Sequence, residues 1–354
     1  MLLKEAIQRT AKFIDKGKEA PPIMRALRFI PAYQGMPPRV YATNGTVGII
    51  VDVGQDLPNM ALPSEPLVKL CKDITGVASI EDKGNAKAAI TVVGKAAKDQ
   101  STYTLEGLPP SEFPGFPAVP EAFTPLSPYQ WATIQKVVHA AGKDIAKAEL
   151  MNVNFRPMVV EATDRARVAR AEVAGPWSGL VPAQLFQHWP KTGTVECVFT
   201  DYHCFWKVEE ELRFAIIQRS EKYPNLEKLI PESHAGWWMV VDVKSLAETV
   251  KKAADMSPTA SVVLDFGIMG LTIRAHAREG IDFESKLEGR MGIPGGHNAQ
   301  YTEMLLDGKL LRDALKVVET PKVKLCYGKP QDPLRLESGG LIECLWPMLA
   351  SQPE

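Results

Sequence analysis

Reactive and metal-binding signatures are missing from these 354 residues. The five cysteines, Cys71, Cys197, Cys204, Cys326 and Cys344, are odd in number, scattered and free of any CxxC spacing. That pattern excludes a disulfide framework or a zinc knuckle and leaves reduced cysteine as a small core residue. The six histidines form no HExxH, the spacing that brings two imidazoles to one helix face for a metal. A P-loop, a GxSxG elbow and a dinucleotide glycine pattern are equally absent, so nucleotide, acyl-transfer and hydride chemistry have no foothold. His203 beside Cys204, with Asp201 close by, is the nearest approach to an activated nucleophile. Neighbours on a strand point to opposite faces, which separates the two. The expectation is a protein that is not an enzyme and holds no metal or cofactor. Long apolar runs are missing too: none approaches the ~20 residues of a membrane-spanning helix. The start, Met1-Leu2-Leu3-Lys4-Glu5, is charged at once and lacks a signal-peptide core. A cytoplasmic protein without a membrane partner is expected.

What is present is a phrase written twice. Phe113-Pro114-Gly115-Phe116 runs on to Val119-Pro120, and about 110 residues later Tyr223-Pro224-Asn225-Leu226 runs on to Leu229-Ile230-Pro231. A proline-stiffened aromatic linker at that period marks a tandem of similar domains. Three are predicted, 1–121, 122–232 and 233–354, each large enough for its own core. A hydrophobic share of 45% and a charged share of 23% are those of an ordinary globular chain.

Each third repeats helix, strands, helix, strands. The first opens with a helix over 2–16, apolar at Leu3, Ile7, Ala11 and Ile14, and has a second over 66–74 after Ser64 as N-cap. Between them, 39–53 reads as a hairpin turning at Asn44-Gly45, which tolerates the positive φ of a tight turn. In the second third, Ser127 and Pro128 start a helix with Trp131, Ile134, Val137, Val138 and Ala141 on one face. Strands follow around 158–173, then a short helix at 182–189 and strands at 194–200, 204–208 and 212–219. In the last third Asp242 caps 243–254, whose apolar face is Val243, Leu246, Ala247, Val250 and Ala254. Strands then run through 261–266, 270–277 and 281–289. Asp307 begins a helix with Leu310, Leu311, Ala314, Leu315 and Val318 inward, before strands around 323–327 and 341–346. Tyr41-Ala42-Thr43-Asn44 sits where Glu161-Ala162-Thr163-Asp164 sits one third later. Helix pairs covering antiparallel sheets three times over make an α+β architecture.

The net charge of −1 hides a division. Helix-like stretches 2–18, 64–74, 127–147, 182–193, 242–255 and 307–320 carry 17 Lys and Arg against 11 Asp and Glu, leaving −7 for the remainder. Basic helices with an acidic remainder can present a positive face to a polyanion.

With these features the chain resembles the bacterial β sliding clamp, the DNA polymerase III β subunit that serves as polymerase processivity factor. The resemblance covers nearly the whole chain and is sharpest at 105–116 (LEGLPPSEFPGF), 161–171 (EATDRARVARA), 222–231 (KYPNLEKLIP) and 305–348, which ends in CLWPM. It implies three tandem DNA-clamp domains per subunit, half of a six-domain ring closed by a head-to-tail homodimer around double-stranded DNA. Such binding is sequence-independent and salt-sensitive. Implied partners are DNA polymerase and the clamp loader, and the implied location is the nucleoid. Pore-facing candidates are Lys12, Lys16, Lys18, Lys72, Lys136, Lys143, Lys147, Lys251, Lys252 and Lys316. Lys18 matches a basic position that touches DNA in the family, and Lys143 a polar one.

The family also has a docking pocket for short peptide motifs. Carried over position by position, it comprises Leu150, Thr163, Arg165, Arg167, Val168, Pro224, Leu229, Pro333, Cys344, Trp346 and Met348. Apolar anchors would enter it while a few polar groups fix register. Tyr103 and Leu105 match apolar residues of the family's dimer seam, with the region near 254–256 as the opposing side. Two departures stand out. The family's Asp-Gly-His-Arg reads Asp164-Arg165-Ala166-Arg167 here, which points to more acid in the partner motif. The strand that opens each domain in the family is also missing before the first helix, so closure of the first sheet is in question. Such divergence fits a phage- or plasmid-borne clamp better than a chromosomal one. The alternative is a clamp-like monomeric interaction scaffold that does not encircle DNA.

Overall fold

The computed structural model describes residues 1–17, 19–94, 99–189, 193–219, 223–232, 237–267, 270–276, 282–292, 302–329 and 331–348. Its α-helices are α1 (Leu3–Thr10), α2 (Ser64–Asp73), α3 (Pro128–Val138), α4 (Val243–Met256) and α5 (Gly308–Lys316); all else regular is strand or 3-10 turn. The α+β class is as expected. No helix among the described residues is long and apolar enough to cross a membrane.

The chain packs into two compact units, Met1–Pro128 with Val181–Gln218, and Tyr129–Leu180 with Arg219–Glu354. The middle third is divided between them because its strands extend the sheets of both neighbours. In the first unit Val47–Asp52 pairs antiparallel with Glu211–Ile216. In the second, Arg167–Glu172 pairs antiparallel with Leu341–Leu345. The sheet of the first unit runs Met60–Pro63, Ala26–Ile30, Arg39–Thr43, Val47–Asp52, Glu211–Ile216, His203–Val208, Glu196–Phe199 and Thr124–Pro125. That of the second runs Gly179–Pro182, Asn152–Arg156, Val159–Thr163, Arg167–Glu172, Leu341–Leu345, Leu334–Ser338, Lys322–Tyr327, Trp237–Asp242 and Gly289–Gly292. Each unit has a further sheet, Gly76–Asp82, Lys87–Val93 and Gln100–Glu106 in the first, and one built on Ser261–Gly267, Gly270–His276, Asp282–Leu287 and Thr302–Asp307 in the second. Residues 277 and 281, at the ends of two predicted strands, lie outside the described residues.

Helix faces follow their apolar spacing. Val243, Leu246, Val250 and Ala254 of α4 and Leu311, Ala314 and Leu315 of α5 share one core with Leu264, Phe266 and Leu325 from the strands. Asp242 caps α4 by accepting from Ser245 N at 2.8 Å, and Asp307 caps α5 by accepting from Lys309 N (2.7 Å) and Leu310 N (3.2 Å). Gly308 lets α5 start hard against α4: a Cβ there would lie 2.7 Å from Ala254 Cβ.

Four helix boundaries differ from expectation. α1 stops at Thr10, whose hydroxyl donates back to Ala6 O at 2.8 Å; the chain then turns to bury Phe13. Ser64 is the first residue of α2 and supplies no side-chain cap. α3 stops at Val138, after which Gly142 N is bound by Leu150 O at 2.7 Å and a 3-10 segment, Ile145–Met151, follows. Only a 3-10 turn, Ala183–Phe186, stands within the predicted helix 182–189, because Arg213 takes the carbonyls of Leu185 (2.6 Å), Gln187 (2.7 Å) and His188 (3.1 Å) that a longer helix would use.

Candidate functional site

Two hairpins, one per unit, are built atom for atom alike. In the first, Thr43 Oγ1 donates to Val47 O (2.9 Å) and accepts from Gly45 N (3.0 Å), while Asn44 Oδ1 accepts from Thr46 N (3.0 Å) and Val47 N (2.8 Å). In the second, Thr163 Oγ1 donates to Arg167 O (2.7 Å) and accepts from Arg165 N (3.1 Å), while Asp164 Oδ1 accepts from Ala166 N and Arg167 N, both at 3.0 Å. The third turn residue is left-handed in both, Gly45 at φ +87° and Arg165 at φ +83°. The flanking strand repeats too: Ile216 N donates to Thr46 O at 2.9 Å, and Trp346 N to Ala166 O at 3.0 Å. Gly48 faces Phe214 in one ladder where Val168 faces Cys344 in the other.

The repeated linkers pack onto these equivalent places with different bulk. Phe113 and Phe116 join Tyr41, Phe205 and Phe214 in an aromatic knot, with Phe116 to Phe214 edge-on at 4.8 Å between centroids. In the second unit Tyr223 and Leu226 meet Val168, Cys344, Ile230, Ile342 and Trp346. Phe214 and Phe205 of the first unit are thus replaced by Cys344 and Arg335 at matching register positions, and Phe116 by Leu226 at the matching linker position.

Of the predicted pocket residues, Val168, Cys344 and Trp346 belong to this second cluster. Val168, Cys344, Thr163, Arg167 and Leu150 are buried. Trp346, Pro224 and Pro333 are half-buried, Arg165 is exposed, and Leu229 and Met348 present 45% and 38% of their surface. Arg167 cannot reach outward. Its Nε donates to Asp164 Oδ2 (3.0 Å), Nη2 donates to His139 O (2.6 Å), and Asp313 stands 3.8 Å from Nη1.

Beside Cys344 on the same strand lies a polar group that sequence reasoning missed. Glu343 is fully buried, with His139 Nε2 3.3 Å from its carboxylate. Burial pushes its carboxyl above the usual range, opposed by His139 and Arg167. A lone glutamate on an alternating strand carries no signal of this kind. The first unit buries charge at the matching register position: Arg213 pairs with Glu211 at 2.5 Å, and Arg9 of α1 reaches the same carboxylate at 2.8 Å.

Of the ten lysines singled out, Lys12, Lys16, Lys72, Lys143, Lys251, Lys252 and Lys316 are exposed, Lys136 and Lys147 are half-buried, and Lys18 lies outside the described residues. Lys136 is engaged with Glu319 (2.6 Å) and Lys316 with Asp313 (2.8 Å). Because α1 ends early, Lys12 and Lys16 sit on the segment after it rather than on a helix face. The Lys12 ammonium is held below its ordinary range by burial and then by Arg213 and Arg9. The exposed His188 is lowered by burial, then by Lys12, Arg213 and Lys16. Cations crowded to mutual disadvantage favour a bound polyanion. His188 was not legible as part of this patch, since an isolated histidine has no pattern.

Tyr103 and Leu105 lie on the strand Gln100–Glu106, with Tyr103 43% exposed. They line a cleft of about 490 Å³ together with Pro66, Lys69, Leu70 and Ile74. On the opposing candidate segment Ala254 is buried and Met256 is exposed. Cys204, beside His203, is buried with its thiol pushed up to about 12, the reverse of an activated nucleophile.

No protein-family profile matches the chain, and no curated protein matches it by sequence. Solved structures match along nearly its full length. The DNA polymerase sliding clamp from Bacillus subtilis superposes with a TM-score of 0.81 at 16% identity, covering 99% of this chain and 97% of that one. The DNA polymerase III beta subunit from Thermotoga maritima gives 0.79 at 17% identity, with the same coverage. A putative DNA polymerase III beta subunit from Eubacterium rectale gives 0.80 at 12% identity, covering 98% and 97%. The chain has the fold of bacterial sliding clamps.

Proposed function

We propose that the protein is a sliding clamp. Three domains, 1–121, 122–232 and 233–354, make half of a six-domain ring, and a head-to-tail homodimer closes it around duplex DNA. Tyr103 and Leu105 form one side of the seam, and the region near 254–256 of a second copy forms the other. The cluster around Trp346 receives peptide segments of the polymerase and the clamp loader. The protein tethers these partners and catalyses nothing. Topological linkage then keeps a polymerase at high effective concentration on its template.

The observation that carries this reading is the likeness in fold, over 99% of the chain, to proteins described as DNA polymerase sliding clamps. The repeated ladder supports it, because a ring of similar domains requires one junction made over and over. Exposed Lys12, Lys16, Lys143, Lys251 and Lys252 supply cations for phosphate without base readout.

The test is retention on DNA. Protein loaded on nicked circular DNA should stay bound through gel filtration and be lost when the circle is cut. Lys143→Glu with Lys147→Glu should abolish loading and shorten the products of the cognate polymerase, and should reduce the salt dependence of binding by roughly 0.9 in log–log slope for each phosphate contact removed. A monomeric scaffold would be indifferent to both the cut and the charge reversals.

A further inference from the structure

Arg165 occupies a backbone position that its counterpart gives to glycine. The two turns share their hydrogen bonds and their left-handed φ, +87° at Gly45 and +83° at Arg165. An L-residue with a long side chain is strained there, and strain that persists at a surface turn directs attention to what the side chain does. Its neighbours are all committed. Arg167 is held by Asp164 at 3.0 Å, Arg170 lies 3.7 Å from Glu227, and Arg335 pairs with Glu337 at 2.7 Å and donates to Pro231 O. Arg165 alone of these four arginines makes no ion pair among the described residues, and it is exposed. Its turn is fastened to the candidate pocket through Ala166 O, which accepts from Trp346 N at 3.0 Å. An uncommitted arginine is therefore carried on a turn tied to Trp346 of this apolar cluster, with Leu229 and Met348 exposed on the segments that follow Leu226 and Trp346.

We propose that Arg165 is a specificity-determining residue: it selects docking peptides that carry a carboxylate next to their apolar anchors. This rests on the docking role proposed for the Trp346 cluster. A guanidinium offers a carboxylate two parallel donors, and an acidic ligand is the complement of a face whose own carboxylates are already paired. Peptides with lysine at that position meet like charge, so the arginine rejects as well as attracts.

The test uses the full chain and an array of acetylated octapeptides, each with two leucine or phenylalanine anchors and Asp, Asn or Lys placed in turn at the other positions. Binding is read by fluorescence anisotropy for wild type, R165Q, R165G and W346A. Wild type should bind the best Asp peptide about three- to tenfold more tightly than its Asn twin, with Lys weaker still, and the preference should shrink in high salt. In R165Q and R165G the Asp and Asn peptides should bind alike, with the apolar contribution kept. In W346A all peptides should weaken together. Asp preference that survives in R165Q and R165G, or a wild type that does not distinguish Asp from Asn, overturns the role of Arg165 while leaving the pocket intact. If no peptide binds wild type, or if W346A binds as wild type does, the docking reading falls and this inference with it.

Discussion

Replacing Arg165 by glycine should make the protein more stable. The left-handed region costs an L-residue about 1–2 kcal/mol, and Arg165 sits there at φ +83°. Glycine removes that strain but returns about 0.4–1 kcal/mol through the greater freedom of the unfolded chain. No ion pair to Arg165 is lost among the described residues. The net gain is therefore about 0.5–1 kcal/mol, or roughly 1–4 °C in Tm for a unit of this size. Gly45→Ala is the mirror experiment. A Cβ at Gly45 would find only Met24 Cε at 3.4 Å, so its penalty is backbone strain alone and should be similar in size. Urea unfolding followed by tryptophan fluorescence gives both: the midpoint should rise for R165G and fall for G45A with the slope m unchanged. An R165G variant no more stable than wild type would refute the strain argument and with it the reason for singling out this arginine.

The aromatic knot makes a second prediction. A Cβ on Gly48 would lie 2.1 Å from the Phe214 ring, so Gly48→Val should destabilise by about 1–3 kcal/mol through overpacking. Adding Phe214→Cys, which reproduces the Val168/Cys344 pair, should recover part of the loss; a double variant no better than the single one refutes the equivalence of the ladders. Glu343→Gln concerns pH. The buried carboxyl is raised, so the folded state holds that proton more tightly than the unfolded chain does. Its contribution is complete below the unfolded glutamate pKa and is lost as pH rises through the folded one. The variant should flatten this decline and be at least as stable as wild type at neutral pH, and an unchanged slope in denaturation from pH 4 to 8 counts against it. Asp307→Ala removes a cap that accepts from two backbone N–H groups and should cost about 1 kcal/mol; no change in midpoint would show the cap to be idle.

The fold was legible where periodicity and turn chemistry agree. Asn44-Gly45 turned the hairpin, Asp242 and Asp307 capped, and α4 and α5 buried the faces their spacing marked. Legibility failed where a distant partner decides the local outcome. Nothing near Leu185 shows that Arg213, twenty-eight positions on, will take its carbonyl and keep 182–189 from becoming a helix. At the candidate site, the resemblance named Val168, Cys344 and Trp346, which one cluster brings together, but not which residues around them face outward. Arg167 and Arg165 are two residues apart and alike in composition. One is tied down beneath the surface by Asp164 and His139 O and the other stands free, a difference set by hydrogen bonds from other elements.

The two equivalent ladders fill one shared place with different side chains. Both units lay a proline-stiffened linker over the same sheet position, so the backbone provides the same place twice. In the first, Phe116 is wedged between Tyr41 and Phe214 at centroid distances of 5.3 and 4.8 Å, and Phe205 closes the other side. Edge-to-face contacts of this kind add stability beyond the area buried, and the place is filled from within. In the second, Leu226, Cys344 and Arg335 stand where those rings would be, and Trp346 takes the position of Ile216. The exchange is not a uniform loss of bulk: Val168 stands where Gly48 does and Trp346 where Ile216 does, and Val168, Leu226 and Cys344 are all fully buried. What remains outward is Leu229 and Met348, exposed, with Trp346 half-buried. Giving this ladder the pair of the first, as Cys344→Phe with Val168→Gly, should keep the fold, whereas Cys344→Phe alone should destabilise by about 1–3 kcal/mol through overpacking. A single variant as stable as the double one would refute the equivalence of the two ladders.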